Sequence, residues 1–298
     1  MRIAKYHGTG NDFVMLEDLD DRLRLGREVI AALCDRRFGV GGDGLIRVVR
    51  GDGGVGDGAG ADFFMDYYNA DGEVAEMCGN GIRCLAKLVY DRGLTGQREL
   101  DVATRAGLKH LVLEAPNGTV ERVTVDMGQP SFERKEIGMS GEPTGTFIGQ
   151  PLHVDGRTFT ATAVSMGNPH CVLFLDAADD LAGLDVPRLG GTIEHMSELF
   201  TNRVNVEFVQ QAGGVLDTRV WERGSGETFA CGTGACAALV ASCVAGHIGR
   251  EGTVRFPGGL LDLTWRDDDH VLMRGPAVRV FEAEIDEPWL QATKGNRA

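Results

Sequence analysis

Two short segments of this 298-residue sequence carry readable chemistry, Cys78-Gly79-Asn80-Gly81 and Cys231-Gly232-Thr233-Gly234. Each follows a Gly-Asn pair at a similar distance. Asn11 of Gly10-Asn11 lies 67 residues before Cys78, and Asn168 of Gly167-Asn168 lies 63 residues before Cys231. Each asparagine precedes β-type residues, and each Cys-Gly-x-Gly opens an apolar stretch that reads as a helix. A cysteine at a helix start sits among backbone N–H groups without helical partners, at the positive end of the helix dipole. That position lowers a thiol's pKa. The same N–H groups can hold a carboxylate, with glycine permitting close approach. A paired order at matched spacing predicts a duplicated domain whose halves contribute equivalent parts. If the halves face each other, two thiols flank one small anion. That geometry suits inversion at an α-carbon, with a base on one face, an acid on the other, and amide donors spreading the carbanion charge.

The elements that must position these groups can be sketched from pattern. Segments 63–68, 120–126, 203–209, 215–221 and 271–274 read as strands, and Leu45 to Val49 resembles another. Asn69-Ala-Asp-Gly72 reads as a turn between two strands. Helices are scarcer: 27–36, 79–91 and 232–245, the last two ending near Gly93 and Gly246 as C-caps. The 232–245 helix is apolar nearly all round and belongs in an interior. The pattern is α+β. Gly39, Gly41 and Gly44 fit G-x-G-x-x-G, as do Gly51, Gly53 and Gly56, but neither has a strand before and a helix after, so dinucleotide binding is not expected. The glycine-rich run 51–60 reads as a surface loop joining two strands. Cys34, Cys84, Cys171, Cys236 and Cys243 lie in apolar segments and read as packing residues.

Bulk properties narrow the function. The hydrophobic fraction is 43%, the charged fraction 25% and the formal net charge −14. Scattered acidity argues against nucleic acid or an anionic membrane as partner, because both need a basic face. The N-terminal residues lack the apolar core of a secretory signal, and no apolar run is long enough to span a bilayer. Seven cysteines without C-x-x-C read as reduced thiols of a cytoplasmic protein, with neither a disulfide framework nor a zinc site.

The motifs are specific to a family. Gly8-Thr-Gly-Asn-Asp-Phe-Val14, Asn69-Ala-Asp-Gly72, Glu76-Met-Cys-Gly-Asn-Gly-Ile-Arg-Cys84, Ser165-Met-Gly-Asn-Pro-His-Cys-Val172, Arg203-Val-Asn-Val206 and the run from Trp221 to Ala235 resemble the diaminopimelate epimerases over residues 1 to about 285. The resemblance implies interconversion of LL- and meso-2,6-diaminopimelate on the route to lysine and peptidoglycan, without pyridoxal phosphate or metal. It implies two pseudo-symmetric domains, each a mixed, mostly antiparallel barrel-like sheet around a central helix, with the active site between them. The first domain would take residues 1–129 and 276–298, the second 130–275, with the last strand returning to the first domain.

By the same resemblance Cys78 and Cys231 are the acid–base pair. Asn11, Asn69, Asn168, Asn205, Glu222 and Arg223 bind the distal amino-acid end of the substrate. Gly79, Asn80, Gly232 and Thr233 cradle the reacting carboxylate, and His170 and Glu222 tune the thiols. A planar guanidinium suits a carboxylate, and carboxylate or amide oxygens suit an ammonium. A homodimer is implied. Gly44 departs from the pattern, since many relatives carry glutamine there. Related proline, hydroxyproline and histidine racemases remain alternatives in the same fold. A non-catalytic amino-acid binder and a thiol–disulfide protein are alternatives from other classes; the former needs no thiol pair and the latter normally carries C-x-x-C.

Overall fold

The structure is a computed structural model that describes residues 1–54 and 60–295. In chain order the elements are β1 (Arg2–Gly8), β2 (Asn11–Glu17), α1 (Arg27–Cys34), β3 (Gly44–Arg50), β4 (Phe63–Asn69), α2 (Gly79–Asp91), β5 (Glu99–Thr104), β6 (Gly107–Glu114) and β7 (Arg122–Asp126). There follow α3 (Arg134–Ile137), β8 (Gln150–Val154), β9 (Arg157–Ser165), β10 (Pro169–Leu175), α4 (Val186–Glu194), β11 (Asn205–Ala212), β12 (Val215–Glu222), β13 (Gly226–Thr228) and α5 (Gly232–Val244). The chain ends with β14 (Glu251–Phe256), β15 (Gly259–Trp265), β16 (Val271–Pro276), β17 (Val278–Glu284) and α6 (Glu287–Gly295). The fold is α+β, strand-rich with few helices.

The chain divides into two compact units. One comprises Met1–Val125 with the segment from Gly275 onward, and the other is Asp126–Arg274; the sequence boundaries stand at 129/130 and 275/276. In the first unit β17 pairs antiparallel with β1, and β1 with β2. Then β2–β3 is parallel, β3–β4 antiparallel, β4–β5 parallel, and β5–β6–β7 antiparallel. The second unit repeats these senses in the same order. β8–β9 and β9–β10 are antiparallel, β10–β11 parallel, β11–β12 antiparallel, β12–β14 parallel, and β14–β15–β16 antiparallel. The helix between the third and fourth strands of this series is α1 in one unit and α4 in the other. The helix after the fifth strand is α2 or α5.

Both central helices are enclosed. α2 buries Gly79 through Val89 and α5 buries Gly232 and Gly234 through Ser242. Each starts close to the sheet because a glycine sits in its first turn. A Cβ at Gly81 would lie 2.6 Å from Ile46 Cδ1, and one at Gly234 would lie 2.7 Å from Glu207 Oε1.

The two helix starts match the sequence expectation, and α2 and α5 end at Asp91 and Val244. The 69–72 turn is present, with Gly72 at φ 80°, but the residues after it add only an isolated bridge, Tyr68 to Val74, rather than a second strand. Gly39 and Gly41 follow α1 and precede β3, the wrong context for a dinucleotide fingerprint. The 51–60 run links the antiparallel pair β3 and β4, and its residues 55–59 lie outside the described residues.

Gly44 opens β3 where the neighbouring strand leaves no room. A Cβ there would lie 2.5 Å from Tyr68 O and 2.7 Å from the Tyr67 ring, so Tyr67 fills the space that a longer side chain at this position needs. Gly44→Ala is therefore expected to lower the free energy of unfolding by roughly 1–3 kcal/mol, because backbone must move to admit one methyl group. Urea titration measures this; an unchanged midpoint would show that the strands part freely.

Candidate active site

In the first unit the site begins at a tight hairpin. Thr9 (φ 52°) and Gly10 (φ 82°) occupy the two central positions between β1 and β2, both left-handed as such turns require. The turn delivers Asn11 to the start of β2. Cys78 is extended (φ −139°) and caps α2, whose first backbone bond runs from Ile82 N–H to Cys78 O at 2.9 Å. The N–H groups of residues 79–81 thus precede the helical ladder. The Cys78 thiol donates to Asn11 Oδ1 at 3.5 Å, and Asn80 Nδ2 donates to the same oxygen at 3.2 Å.

Behind this pair stands a scaffold. Asn11 Nδ2 donates to Asp43 Oδ2 at 2.7 Å, and Arg36 bridges Asp43 to Asp12. Lys5 pairs with Asp12 at 2.7 Å. Against the effect of burial, Arg36 and Lys5 hold the Asp12 carboxyl well below its usual range. Arg83, fully buried, donates to Asn80 Oδ1 at 2.9 Å, to Gly79 O at 3.1 Å and to Pro276 O at 3.2 Å. It ties the first turn of α2 to the end of β16. Asn69 is exposed at the end of β4.

In the second unit Cys231 (φ −125°) caps α5, and Gly234 N–H donates to its sulfur at 3.4 Å. Thr233 Oγ1 lies 3.5 Å from the sulfur, on the far side of Gly232. Glu222, at the end of β12, takes a hydrogen bond from the Thr228 hydroxyl, and its carboxyl lies near the Cys231 thiol. His170 is fully buried, with Nδ1 2.7 Å from Glu207 Oε1 and Nε2 2.9 Å from Asn168 Oδ1. Asn205 donates to Pro169 O at 2.9 Å and accepts from Arg223 N–H at 2.8 Å, so its amide joins the start of β10 to the end of β12. The Arg223 guanidinium is exposed and donates to Asn202 O at 3.1 Å.

One expectation is corrected here. A helix start was expected to lower the thiol pKa, yet that of Cys231 is raised well above the ordinary value. Burial is the main cause, and the Glu222 and Glu207 carboxyls add to it; the Thr233 and Gly234 hydrogen bonds oppose it without prevailing. Two desolvated acids outweigh a few oriented N–H groups. Burial likewise raises Glu222 and Glu207. Cys231 therefore rests as a thiol beside a carboxyl able to exchange its proton.

Burial pushes Cys34 and Cys84 up to about 12 and raises Cys171 too, as inert packing thiols require. Cys236 is buried, whereas Cys243, in the last turn of α5, is partly exposed. Arg83, Thr228 and Glu207 were missed from sequence. For Glu207 a signal existed, because it interrupts the apolar run Val206 to Val209, where a charged residue is buried only if paired.

The family model described as Diaminopimelate epimerase matches residues 3–133 and 162–280. Curated relatives of that name align over nearly the whole chain. One from Leptospira biflexa is 43% identical over 288 residues, covering 96% of this chain and 99% of the relative. One from Moorella thermoacetica is 45% identical over 291 residues, with the same coverage. The chain belongs to the diaminopimelate epimerase family. Solved structures related at the level of fold include a hydroxyproline epimerase from Agrobacterium vitis with bound trans-4-OH-L-proline (TM-score 0.66, 14% identity, 96% and 90% of the two chains). A phenazine biosynthesis protein of the PhzF family from Bacillus anthracis is similar to the same degree (TM-score 0.66, 18% identity, 96% and 99%). This chain thus shares its fold with proteins of very different sequence.

Since the Glu222 carboxylate is among the groups that raise the Cys231 thiol, Glu222→Gln should move its ionisation to lower pH. The rate of Cys231 alkylation by iodoacetamide, followed by peptide mass spectrometry against pH, should show a midpoint shifted down. A midpoint unchanged or shifted up would contradict the assignment of Glu222 as its neighbour in solution.

Proposed function

We propose that this protein interconverts LL-2,6-diaminopimelate and meso-2,6-diaminopimelate, without a cofactor, through Cys78 and Cys231 as separate acid and base. The observation that carries the reading is the equivalence of the two cysteines. Each caps the central helix of its unit, each has a glycine in the first helical turn, and each has polar partners on the sulfur, Asn11 for Cys78 and Thr233 with the Gly234 N–H for Cys231. Family membership supplies the substrate.

One thiolate takes the α-proton and the other thiol returns a proton to the opposite face, so each turnover leaves the pair with its roles exchanged. Glu222 is placed to accept the Cys231 proton before abstraction and to give it back. The reacting carboxylate lies against the backbone N–H groups of Gly79, Asn80, Gly232 and Thr233, which are free of the helical ladder and stabilise charge as it spreads from the α-carbon. The distal amino-acid group needs donors for its carboxylate and acceptors for its ammonium. Arg223 supplies the planar donor pair, and Asn11, Asn69, Asn168 and Asn205 supply amide groups. His170 acts from behind Asn168. The reaction stands on the route to lysine and peptidoglycan precursors, in the cytoplasm, and the enzyme works as a homodimer.

Purified protein given LL-diaminopimelate should form the meso isomer, resolved by chiral chromatography, while proline and histidine should not be racemised. Cys78→Ala and Cys231→Ala should each abolish this turnover while leaving the circular dichroism spectrum unchanged. Near wild-type turnover by either variant would remove the acid–base assignment. Arg223→Lys keeps the charge but loses the planar fork, so KM should rise by roughly tenfold or more. An unchanged KM would place the distal carboxylate elsewhere.

A further inference from the structure

The repeated topology allows the two units to be compared residue by residue. In β2 and β3 the register pairs Phe13 with Gly44 and Met15 with Ile46. In β10 and β11 it pairs His170 with Asn205 and Val172 with Glu207. Asn11 and Asn168 stand two residues before Phe13 and His170, so Phe13 corresponds to His170 and Ile46 to Glu207. The helix glycines agree independently: Ile46 is the nearest neighbour of a Cβ placed on Gly81, and Glu207 Oε1 is the nearest neighbour of one placed on Gly234.

Phe13 and Ile46 are fully buried, as are His170 and Glu207. The same two positions are thus filled by an apolar pair in one unit and by an ionisable pair in the other. The fold does not need the ionisable pair, since Phe13 and Ile46 fill the same space without the cost of desolvating two charges. Nor does hydrogen bonding inside the protein account for the carboxyl, because Glu207 Oε2 is buried without a partner. What the pair does accomplish is on the other side of the imidazole. Asn168 Oδ1 can only accept, so Nε2 of His170 carries a proton. Nδ1 faces Glu207 Oε1 at 2.7 Å, and the one remaining proton lies between those two atoms. With Glu207 as the carboxylic acid, the form its burial favours, its O–H donates to Nδ1 and the single imidazole proton stays on Nε2.

We propose that Glu207 is a positioning residue: through His170 it fixes the Asn168 amide with its oxygen on the imidazole and its two N–H groups left as donors for the substrate carboxylate. This rests on the function proposed above. A neutral imidazole without the carboxyl is free to carry its single proton on Nδ1. Asn168 would then turn over to donate to the bare Nε2, presenting an oxygen where the substrate needs a donor. Glu222 and the thiols of Cys231 and Cys171 are the other titratable groups near the pair.

Two measurements test this. Long-range proton–nitrogen correlation spectra of the ligand-free wild-type protein at pH 7 should show the His170 Nε2 resonance in the protonated range; an unprotonated Nε2 overturns the proposal. This arm needs no substrate, so it stands apart from the functional reading, which fails separately if wild-type protein does not convert LL-diaminopimelate. In kinetics, Glu207→Leu, which leaves Nδ1 without a partner, should raise KM for LL-diaminopimelate roughly five- to tenfold with a smaller change in kcat, and should add nothing further in an Asn168→Ala background, whereas Glu207→Gln, whose amide N–H can donate to Nδ1, should stay close to wild type. Effects that add in the double variant, or a fall in kcat at constant KM, would instead assign Glu207 to general packing or to the Cys231 proton and overturn its action through Asn168.

Discussion

A missing side chain in the first turn of each central helix sets the rest of the structure. At Gly81 and Gly234 the helix backbone comes so close to the sheet that a single Cβ would overlap Ile46 or Glu207. Because of that contact the helix starts lie at fixed points over β3 in one unit and β11 in the other. The residue just before each start must be extended, and in both units it is a cysteine. Everything else near the thiols follows from the strands that end there: the β1–β2 hairpin brings Asn11, the end of β12 brings Glu222, and the starts of β10 and β11 bring His170 and Asn205.

The two units use one frame with different electrostatics. Around Cys78 stand amide groups backed by the Arg36–Asp12–Asp43 cluster and by buried Arg83. Around Cys231 the buried His170 and Glu207 stand where the other unit has Phe13 and Ile46, Glu222 adds a second carboxyl, and the thiol is held in its protonated form. An acid–base pair that inverts a carbon must hold one proton between two sulfurs at rest. Unequal surroundings are a physical way to decide which sulfur keeps it.

Much of this was legible in the sequence because it rests on local pattern. The first residues of both helices, and Asp91 as the end of α2, follow from apolar runs bounded by glycine. The duplication follows from spacing. The hairpin β5–β6, the strands β8 and β9 and the helix α4 were not read. β6 alternates in burial, but apolar Leu108 and Val112 lie on its exposed face and blur the period in the sequence, and β8 is five residues long, too short for a period to show. α4 had a usable signal in Asp185, whose side chain accepts from Arg188 N–H, with Pro187 in the first turn. The sign of the Cys231 shift was not legible at all. The helix start is a local feature, whereas the opposing carboxyls come from residues 207 and 222, which only the strand pairing brings to the same place.

The central claim is that two thiols hold separate acid and base roles, and proton bookkeeping in heavy water tests it directly. Starting from pure LL-diaminopimelate, the meso product should carry solvent deuterium at its inverted carbon from the first turnover. The remaining LL substrate should carry little at early times, since the thiol that removes its proton tends to return the same one. Early meso product rich in the substrate's own hydrogen would mean that one group moves the proton between faces, and would contradict the account.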